Sequence, residues 1–505
     1  MNTGRILLGG VAALLLLVGS VVSPAYAQQL LGPTPVPPPG IEPEVIPGQY
    51  IVELKRAVER DAFINEHRVA AFRRYTIING FAARMSERAA IRLAANVRIR
   101  SVSPDLVVHA SPKPDSPPGK KGGGGGGDGD EPTGGNCPDF SSNPAFDPTA
   151  NPEVAPTGVS RIDALSATAT GAGVKVAVID TGIDPCHPDL VANYKGGKNL
   201  LKKGNNPPLD DNGHGTHVAG IIAAAANGFG VVGVAPEVDL YAVKVLDAKG
   251  EGTLSTVIKG LDWAAKNKMR VANLSLTAID FSFAMGPMCT AVANAAAAGV
   301  TVVAAAGNFI SDAIAFTPAN CVDSLTVSAF VDLNGMDTAS GSITIDGGFG
   351  PIVEYDETFA NSFSNYSNYC WDLDGDFVCT NDDTLVVNLM GPGVEILSTT
   401  PTSSFTLSAE GVAANYGILT GTSMAAPHVA GASALFIEAN PTADTDQVRT
   451  ALTIGLTMGS TVYTGGECDS GTPGSSLPLQ CSPAWPDYPD FSLEPSSEPL
   501  VDAGP

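Results

Sequence analysis

The chain predicts an α/β protein: a parallel central sheet with helices on both faces, preceded by a small α/β unit. Three observations predict this. From Gly158 onward, short apolar runs of strand length alternate with apolar-periodic runs of helix length, the pattern of a parallel sheet covered on both sides. A second, shorter strand–helix alternation occupies residues 48–110. Between the two, residues 111–136 hold six consecutive glycines with Pro, Lys and Asp, a flexible linker that cannot bury a core.

The elements follow in order. Gln49–Leu54 alternates apolar and polar residues as a strand does. A helical pattern covers 58–72, a strand follows the Asn79-Gly80 turn over 79–85, a helix covers 87–95, and a strand over 99–108 closes the unit. In the larger unit, strands are predicted at 174–179, 239–246, 270–276, 300–306, 325–330 and 385–390. Helices are predicted at 214–226, 254–268, 288–298 and 423–438. The helix at 254–268 is the cleanest, with Leu254, Val257, Ile258, Leu261 and Ala265 along one face. Open parallel sheets bind ligands beyond the carboxyl ends of their strands. Asp180 ends one predicted strand, Ser275 and Leu276 end another, and Asn308 follows a third, so chemistry is expected along that edge.

At 505 residues, 44% of them apolar, the length allows two or three domains. The net charge of −24 argues against a nucleic-acid partner. That charge is uneven: residues 46–110 carry 11 Lys+Arg against 6 Asp+Glu, and residues 137–505 carry 13 against 40. The two units are therefore expected to attract each other. Residues 1–27 read as an export signal, with Arg5 ahead of the apolar stretch Ile6–Val22 and Ala25-Tyr26-Ala27 at the cleavage position; an uncleaved membrane anchor is the alternative. Residues 28–47 are proline-rich and read as extended. Export makes the eight cysteines candidates for disulfides. Short separations favour Cys370 with Cys379 and Cys468 with Cys481, Cys289 and Cys321 flank a helix and a strand, and Cys137 and Cys186 remain.

Three segments carry chemistry. Val174–Gly182 is an apolar run ending in Asp180 and a turn, Asn212–Gly220 places His214 at the head of a small-residue helix, and Gly421-Thr422-Ser423-Met424-Ala425-Ala426-Pro427-His428 opens an apolar helix with a serine. Peptide hydrolysis needs a nucleophile, a base and donors for the oxyanion. A serine hydroxyl at a helix N-terminus lies beside orphan backbone N–H groups. Taken singly, Ser423 reads as a cap, His214 as a turn residue and Asp180 as a strand-end turn. Together, in the order Asp, His, Ser, the three segments resemble the subtilisin-like serine proteases, the family defined by that order.

The resemblance runs in pieces from about Gly158 to Gly504. It implies a triad of Asp180, His214 and Ser423, with Asn308 supplying an oxyanion donor. It implies that Ser275, Leu276 and Thr277, together with Gly250 and Gly252, pair with extended substrate, and that Ala306 and Gly307 form a wall of the first specificity pocket. The family has Gly where Thr277 stands, which narrows that pocket. Gly250–Thr253 reads equally as an ordinary turn into a helix. Residues 332–358 and 369–384 are insertions relative to the family.

The resemblance also implies structural calcium held by Asp189 and Asn227 side chains and the Ala225, Phe229 and Val231 carbonyls, an oxygen cage that suits a hard cation. Asp372, Asp374 and Asp376 form a second calcium candidate that lacks a terminal Glu and reads equally as a solvated acidic loop. His214 and His217 do not match the spacing of a helical zinc site, so His217 reads as structural. Residues 48–110, with Gly80-Phe81-Ala82-Ala83, resemble the family's ferredoxin-like inhibitory pro-domain, and the long linker leaves the processing site open. Leu500–Gly504 resembles the family's closing segment, so no further domain is expected. The expected protein is a secreted, monomeric serine endopeptidase made as a self-processing precursor, acting on proteins or peptides without an organic cofactor. The alternative is a catalytically inactive, calcium-binding protein on the same scaffold.

Overall fold

The structure, a computed structural model, describes residues 42–110, 137, 152–280, 286–336, 340–346, 351–366, 370–371, 384–402 and 415–454. The N-terminal unit runs β1 (Val45–Leu54), α1 (Arg60–Glu66), β2 (Ala70–Arg74), β3 (Gly80–Arg84), α2 (Glu87–Ala94) and β4 (Ile99–Ala110). Its strands form an antiparallel sheet in the order β4-β1-β3-β2. Period-2 alternation divides its side chains between two cores. Val52 and Leu54 pack with Phe63, Ile64 and Phe81 in the unit's own core. Ile51 and Ala82 face the other way, into a core shared with the larger unit.

The larger unit begins with α3 (Thr157–Arg161), β5 (Lys175–Asp180), β6 (Tyr194–Asn199), α4 (His214–Ala223), β7 (Asp239–Lys244), β8 (Glu251–Thr253) and α5 (Leu254–Lys266). It continues with β9 (Val271–Leu274), β10 (Leu276–Ile279), α6 (Pro287–Ala297), β11 (Thr301–Ala305), β12 (Phe316–Thr317), β13 (Ser324–Phe330), β14 (Ser342–Asp346) and β15 (Pro351–Tyr355). It closes with β16 (Cys370–Trp371), β17 (Thr384–Leu385), β18 (Leu389–Pro392), β19 (Ile396–Thr399), β20 (Tyr416–Leu419), α7 (Thr422–Ala439) and α8 (Thr445–Ile454). The central sheet has seven strands, all parallel, in the order β18-β13-β11-β9-β5-β7-β6. Along β5, Val176 and Val178 enter one core with α4 and α7, and Ala177 and Ile179 enter the other with α5 and α6. The sheet is thus covered on both faces, which is why its strands read as continuous apolar runs.

Helix α7 is buried nearly all round, and small residues let it lie close to its neighbours. A Cβ at Gly431 would stand 2.5 Å from Val234. Pro427 in this helix has no N–H to give the Ser423 carbonyl four residues back. The Ser275 hydroxyl donates to that carbonyl instead, at 2.8 Å, which ties the β9–β10 junction to the helix start.

Several expectations are corrected. The helix read over 58–72 stops at Glu66, because Arg68 turns at φ 49° and the next residues pair with β3 as β2. β1 starts at Val45, inside the segment read as extended and proline-rich. The strand read over 270–276 divides into β9, in the central sheet, and β10, which pairs with β4 and β12. The sheet strand expected at 385–390 is Leu389–Pro392. β6 escaped notice because Gly196 and Gly197 interrupt its pattern. A Cβ at Gly197 would fall 1.8 Å from the Ala242 carbonyl, so close strand pairing demands glycine there.

Within 332–358 the chain forms an antiparallel hairpin, β14 against β15. Cys137–Cys186 and Cys289–Cys321 are joined as disulfides. The other two proposed pairs, residues 1–27, the 111–136 linker, Asp372, Asp374, Asp376 and Leu500–Gly504 lie outside what the structure describes.

Candidate active site

Asp180 closes β5 at the carboxyl edge of the sheet and is fully buried. Its Oδ1 accepts the Thr181 N–H at 2.6 Å and lies 2.8 Å from His214 Nδ1. His214 opens α4, preceded by Gly213 at φ 110°. The approach is close: a Cβ at Gly215 would fall 2.1 Å from the Gly182 carbonyl. Burial opposes a charged imidazole, but the Asp180 carboxylate beside it outweighs burial and raises the His214 pKa above 6.5, with Asp210 adding in the same direction.

Sequence reasoning missed Asp210. Its Oδ1 accepts Asn212 N–H, Gly213 N–H and the Thr181 hydroxyl at 3.0, 2.8 and 2.9 Å; its Oδ2 accepts Thr216 N–H and hydroxyl at 2.9 and 2.6 Å. One buried carboxylate therefore shapes the turn that presents His214. The sequence does not show that this Asp folds back on the turn after it and also reaches Thr181, 29 residues earlier.

Ser423 lies in the first turn of α7, fully buried. Its hydroxyl donates to the Ser275 carbonyl at 3.2 Å, and His214 Nε2 makes no hydrogen bond among the described residues. Asn308 follows β11; its Oδ1 accepts both the N–H and the hydroxyl of Thr422, each at 2.9 Å. With the oxygen so held, the amide's donor end is turned away from Thr422.

β8 and β10 flank a cleft, and β4 lies in it, antiparallel to both. Val107 pairs with Thr253, Val108 with Gly252, His109 with Glu251 and Thr277, and Ala110 with Leu276. The Ala110 N–H donates to the Gly250 carbonyl at 2.8 Å. The expected substrate-pairing residues Gly250, Gly252, Leu276 and Thr277 are all engaged by this strand, and Ser275 lies at its end.

The subtilase family model matches residues 171–458. Subtilisin BL and subtilisin Savinase, both from Lederbergia lenta, are 40% identical over 310 residues, 61% of this chain and 93% of each of theirs. Subtilisin E from Bacillus subtilis (strain 168) is 38% identical over 314 residues, 61% of this chain and 68% of that one. A cold adapted subtilisin-like serine proteinase of known structure aligns with a TM-score of 0.44 and 31% identity, over 59% of this chain and 90% of that one.

The chain belongs to the subtilase family. It is a subtilisin-like serine endopeptidase.

In this subtilase, Gly307 lies opposite Thr277. Gly307 sits at φ 105°, and a Cβ there would stand 3.5 Å from Thr277 Cγ2 and 2.5 Å from Asn365 Nδ2. Asn365, also missed in the sequence, braces this wall: its Nδ2 donates to the Ala306 carbonyl at 2.9 Å and its Oδ1 accepts Phe309 N–H and Ser311 N–H at 2.9 and 3.1 Å. His217 is fully buried, with Nε2 near the Ile396 and Gly417 carbonyls at 3.0 and 3.1 Å; burial pushes its pKa down to about 3.

The subtilase's Asp189 is also fully buried. Its carboxylate accepts Asn227 Nδ2 at 3.1 Å, Val231 N–H at 3.0 Å and the Tyr416 hydroxyl at 2.9 Å, all neutral donors. Ala225 adjoins through its N–H to the Asp189 carbonyl at 2.8 Å, and the Phe229 N–H meets Asn227 Oδ1 at 3.2 Å. Glu153, a further residue missed in the sequence, accepts the Asn227 and Gly228 N–H groups at 2.8 and 3.0 Å. Burial, with Glu153 as an acidic neighbour, pushes the Asp189 pKa up to about 6.

Proposed function

We propose that this endopeptidase is exported as a self-processing precursor, that Asp180, His214 and Ser423 are its triad, and that residues 48–110 are its inhibitor. The observation that carries the reading is β4, lying antiparallel between β8 and β10 as an extended substrate would, and ending at Ala110 beside the Ser275–Ser423 contact.

In the proposed reaction Ser423 Oγ turns from the Ser275 carbonyl toward His214 Nε2, which takes its proton as Oγ bonds to the scissile carbonyl carbon. Asp180 Oδ1 holds Nδ1–H and stabilises the imidazolium. Asn308 Nδ2 and the Ser423 N–H receive the oxyanion. As the C–N bond breaks, His214 returns the proton to the leaving amine, and water repeats the sequence on the acyl-enzyme. The basic N-terminal unit and the acidic main unit support the inhibitor reading, as do polar contacts between them. Asp105 Oδ1 accepts Ser255 N–H at the start of α5 at 2.9 Å, Asp262 Oδ1 accepts Ile77 N–H at 2.8 Å, and the Tyr75 hydroxyl donates to the Ser255 carbonyl at 3.1 Å.

We also infer that Asp189, Asn227 and the Ala225, Phe229 and Val231 carbonyls hold calcium. The residues fit a cation: a fully buried carboxylate with an acidic neighbour has only neutral donors and no ion pair among the described residues. The ion supplies the missing positive charge and ties the loop after α4 to Asp189.

The test is fluorophosphonate labelling of expressed protein beside its Ser423→Ala variant. The parent is expected to mature and label, and the variant to remain a full-length, unlabelled precursor. Labelling that persists in the variant removes Ser423 as the nucleophile. Normal maturation of the purified variant removes self-processing, and a parent that never labels revives the inactive scaffold.

A further inference from the structure

The inserted hairpin is rooted on three carboxylates that the proposed reaction does not use. Asp332 lies two residues beyond β13, and Asp356 and Glu357 follow β15 directly. Each offers an oxygen within 4.8 Å of the others. Asp332 and Asp356 are each 2% exposed.

The oxygens are not equally satisfied. Both Asp356 oxygens are engaged: Oδ1 accepts Leu333 N–H at 2.7 Å, and Oδ2 accepts Ser340 N–H at 2.9 Å and Asn334 Nδ2 at 2.6 Å. Glu357 is held by Arg161, whose Nε reaches Oε1 and Oε2 at 2.9 and 3.0 Å and whose Nη2 reaches Oε2 at 2.7 Å. Asp332 Oδ1 accepts Gly335 N–H at 2.8 Å, but Asp332 Oδ2 is buried with no hydrogen-bond partner. One guanidinium thus faces three carboxylates, one with an orphan oxygen. An unpaired buried carboxylate oxygen is costly unless a proton or a cation meets it.

We propose that Asp332, Asp356 and Glu357 bind a calcium ion that fastens the inserted hairpin to the end of β13. The donor set is all oxygen, as a hard cation requires. Carboxylate lone pairs beyond those used by amides and Arg161 complete the three-residue donor set.

The competing occupant of the orphan oxygen is a proton. Burial pushes the Asp332 pKa up, against the Gly335 N–H and the Thr157 hydroxyl, with Asp356 adding to the rise. Burial raises the Glu357 pKa as well, against Arg161.

Equilibrium dialysis against radioactive calcium distinguishes them, using full-length Ser423→Ala protein to avoid self-digestion. Asp332→Asn, added to that chain, is expected to bind one calcium ion fewer. Asp189→Ala is expected to remove a different ion, so that the two losses add. Unchanged stoichiometry in Asp332→Asn overturns the proposal and assigns the oxygen to a proton. Terbium-soaked crystals of the chain without Asp332→Asn provide a second measurement that does not require that variant to fold. An anomalous peak about 2.5 Å from Asp332 Oδ2 is expected, and its absence overturns the site whatever happens at Asp189.

Discussion

Asn308 spends its side-chain oxygen on Thr422, so the oxyanion role proposed for it rests on the amide nitrogen. Asn308→Ala is expected to lower kcat by about 10²–10³, the range measured for such a donor within this same family, with KM nearly unchanged. A large rise in KM at constant kcat, read from steady-state kinetics, contradicts the oxyanion role. Thr277 Cγ2 narrows the space facing Gly307. Thr277→Gly is expected to raise kcat/KM for peptides with a bulky residue before the scissile bond relative to those with a small one. An unchanged ratio across a peptide series removes Thr277 as a determinant of specificity. At this scale Asp180, His214, Ser423 and Asn308 could be singled out as candidates because each sits in a short run of small neighbours and a turn. Asp210 and Asn365 were not. Asp210 gathers the N–H groups of the turn just after it together with the distant Thr181 hydroxyl, Asn365 bonds loop backbone more than 50 residues away, and nothing local marks either from any other polar loop residue.

Among the elements, the contact between Asp189, which lies between β5 and β6, and the loop after α4 carries a pH dependence with a definite sign. The folded-state pKa of Asp189, about 6, stands above its ordinary value of 3.8. A raised folded pKa contributes stability that is complete below the ordinary value and is lost as pH rises through the folded one. In chelator, the parent is therefore expected to lose more melting temperature between pH 5 and pH 7.5 than Asp189→Asn does. Calcium favours the charged carboxylate and is expected to restore the parent at pH 7.5 by mass action. Equal pH dependence in the two proteins, measured by calorimetry, sinks the assignment. Elements with an uninterrupted apolar pattern were legible: helix 254–268 was read where α5 runs from Leu254 to Lys266. β2 was absorbed into a helix and β6 was missed, because pairing with a neighbouring strand, and not local preference, decides those segments.

Across the whole molecule, the N-terminal unit shares a core with the catalytic unit: Ile51, Tyr75, Leu106 and Val108 pack in the cluster that holds Val257, Ile258 and Leu261. Residues 42–110, made separately, are expected to inhibit the mature enzyme. Opposite charges on the two units are expected to speed docking, so the association rate should fall as salt rises. Stopped-flow or progress-curve inhibition reads both effects. Absence of inhibition at micromolar concentration removes the inhibitor role, and a salt-independent rate removes only the electrostatic steering.

The sequence by itself determined the α/β class and the serine-endopeptidase family, and it supplied the sheet edge and the residues proposed for the chemistry. These follow from local periodicity and from short runs that need no distant partner to be recognised. Tertiary structure alone decided that β4 lies between β8 and β10, that the Ser275 hydroxyl substitutes for the N–H missing at Pro427, and that Asp332, Asp356 and Glu357 meet under one hairpin. Each depends on strand pairing or packing between residues far apart in the chain, and the free energy of such contacts belongs to the assembled fold and not to any one segment.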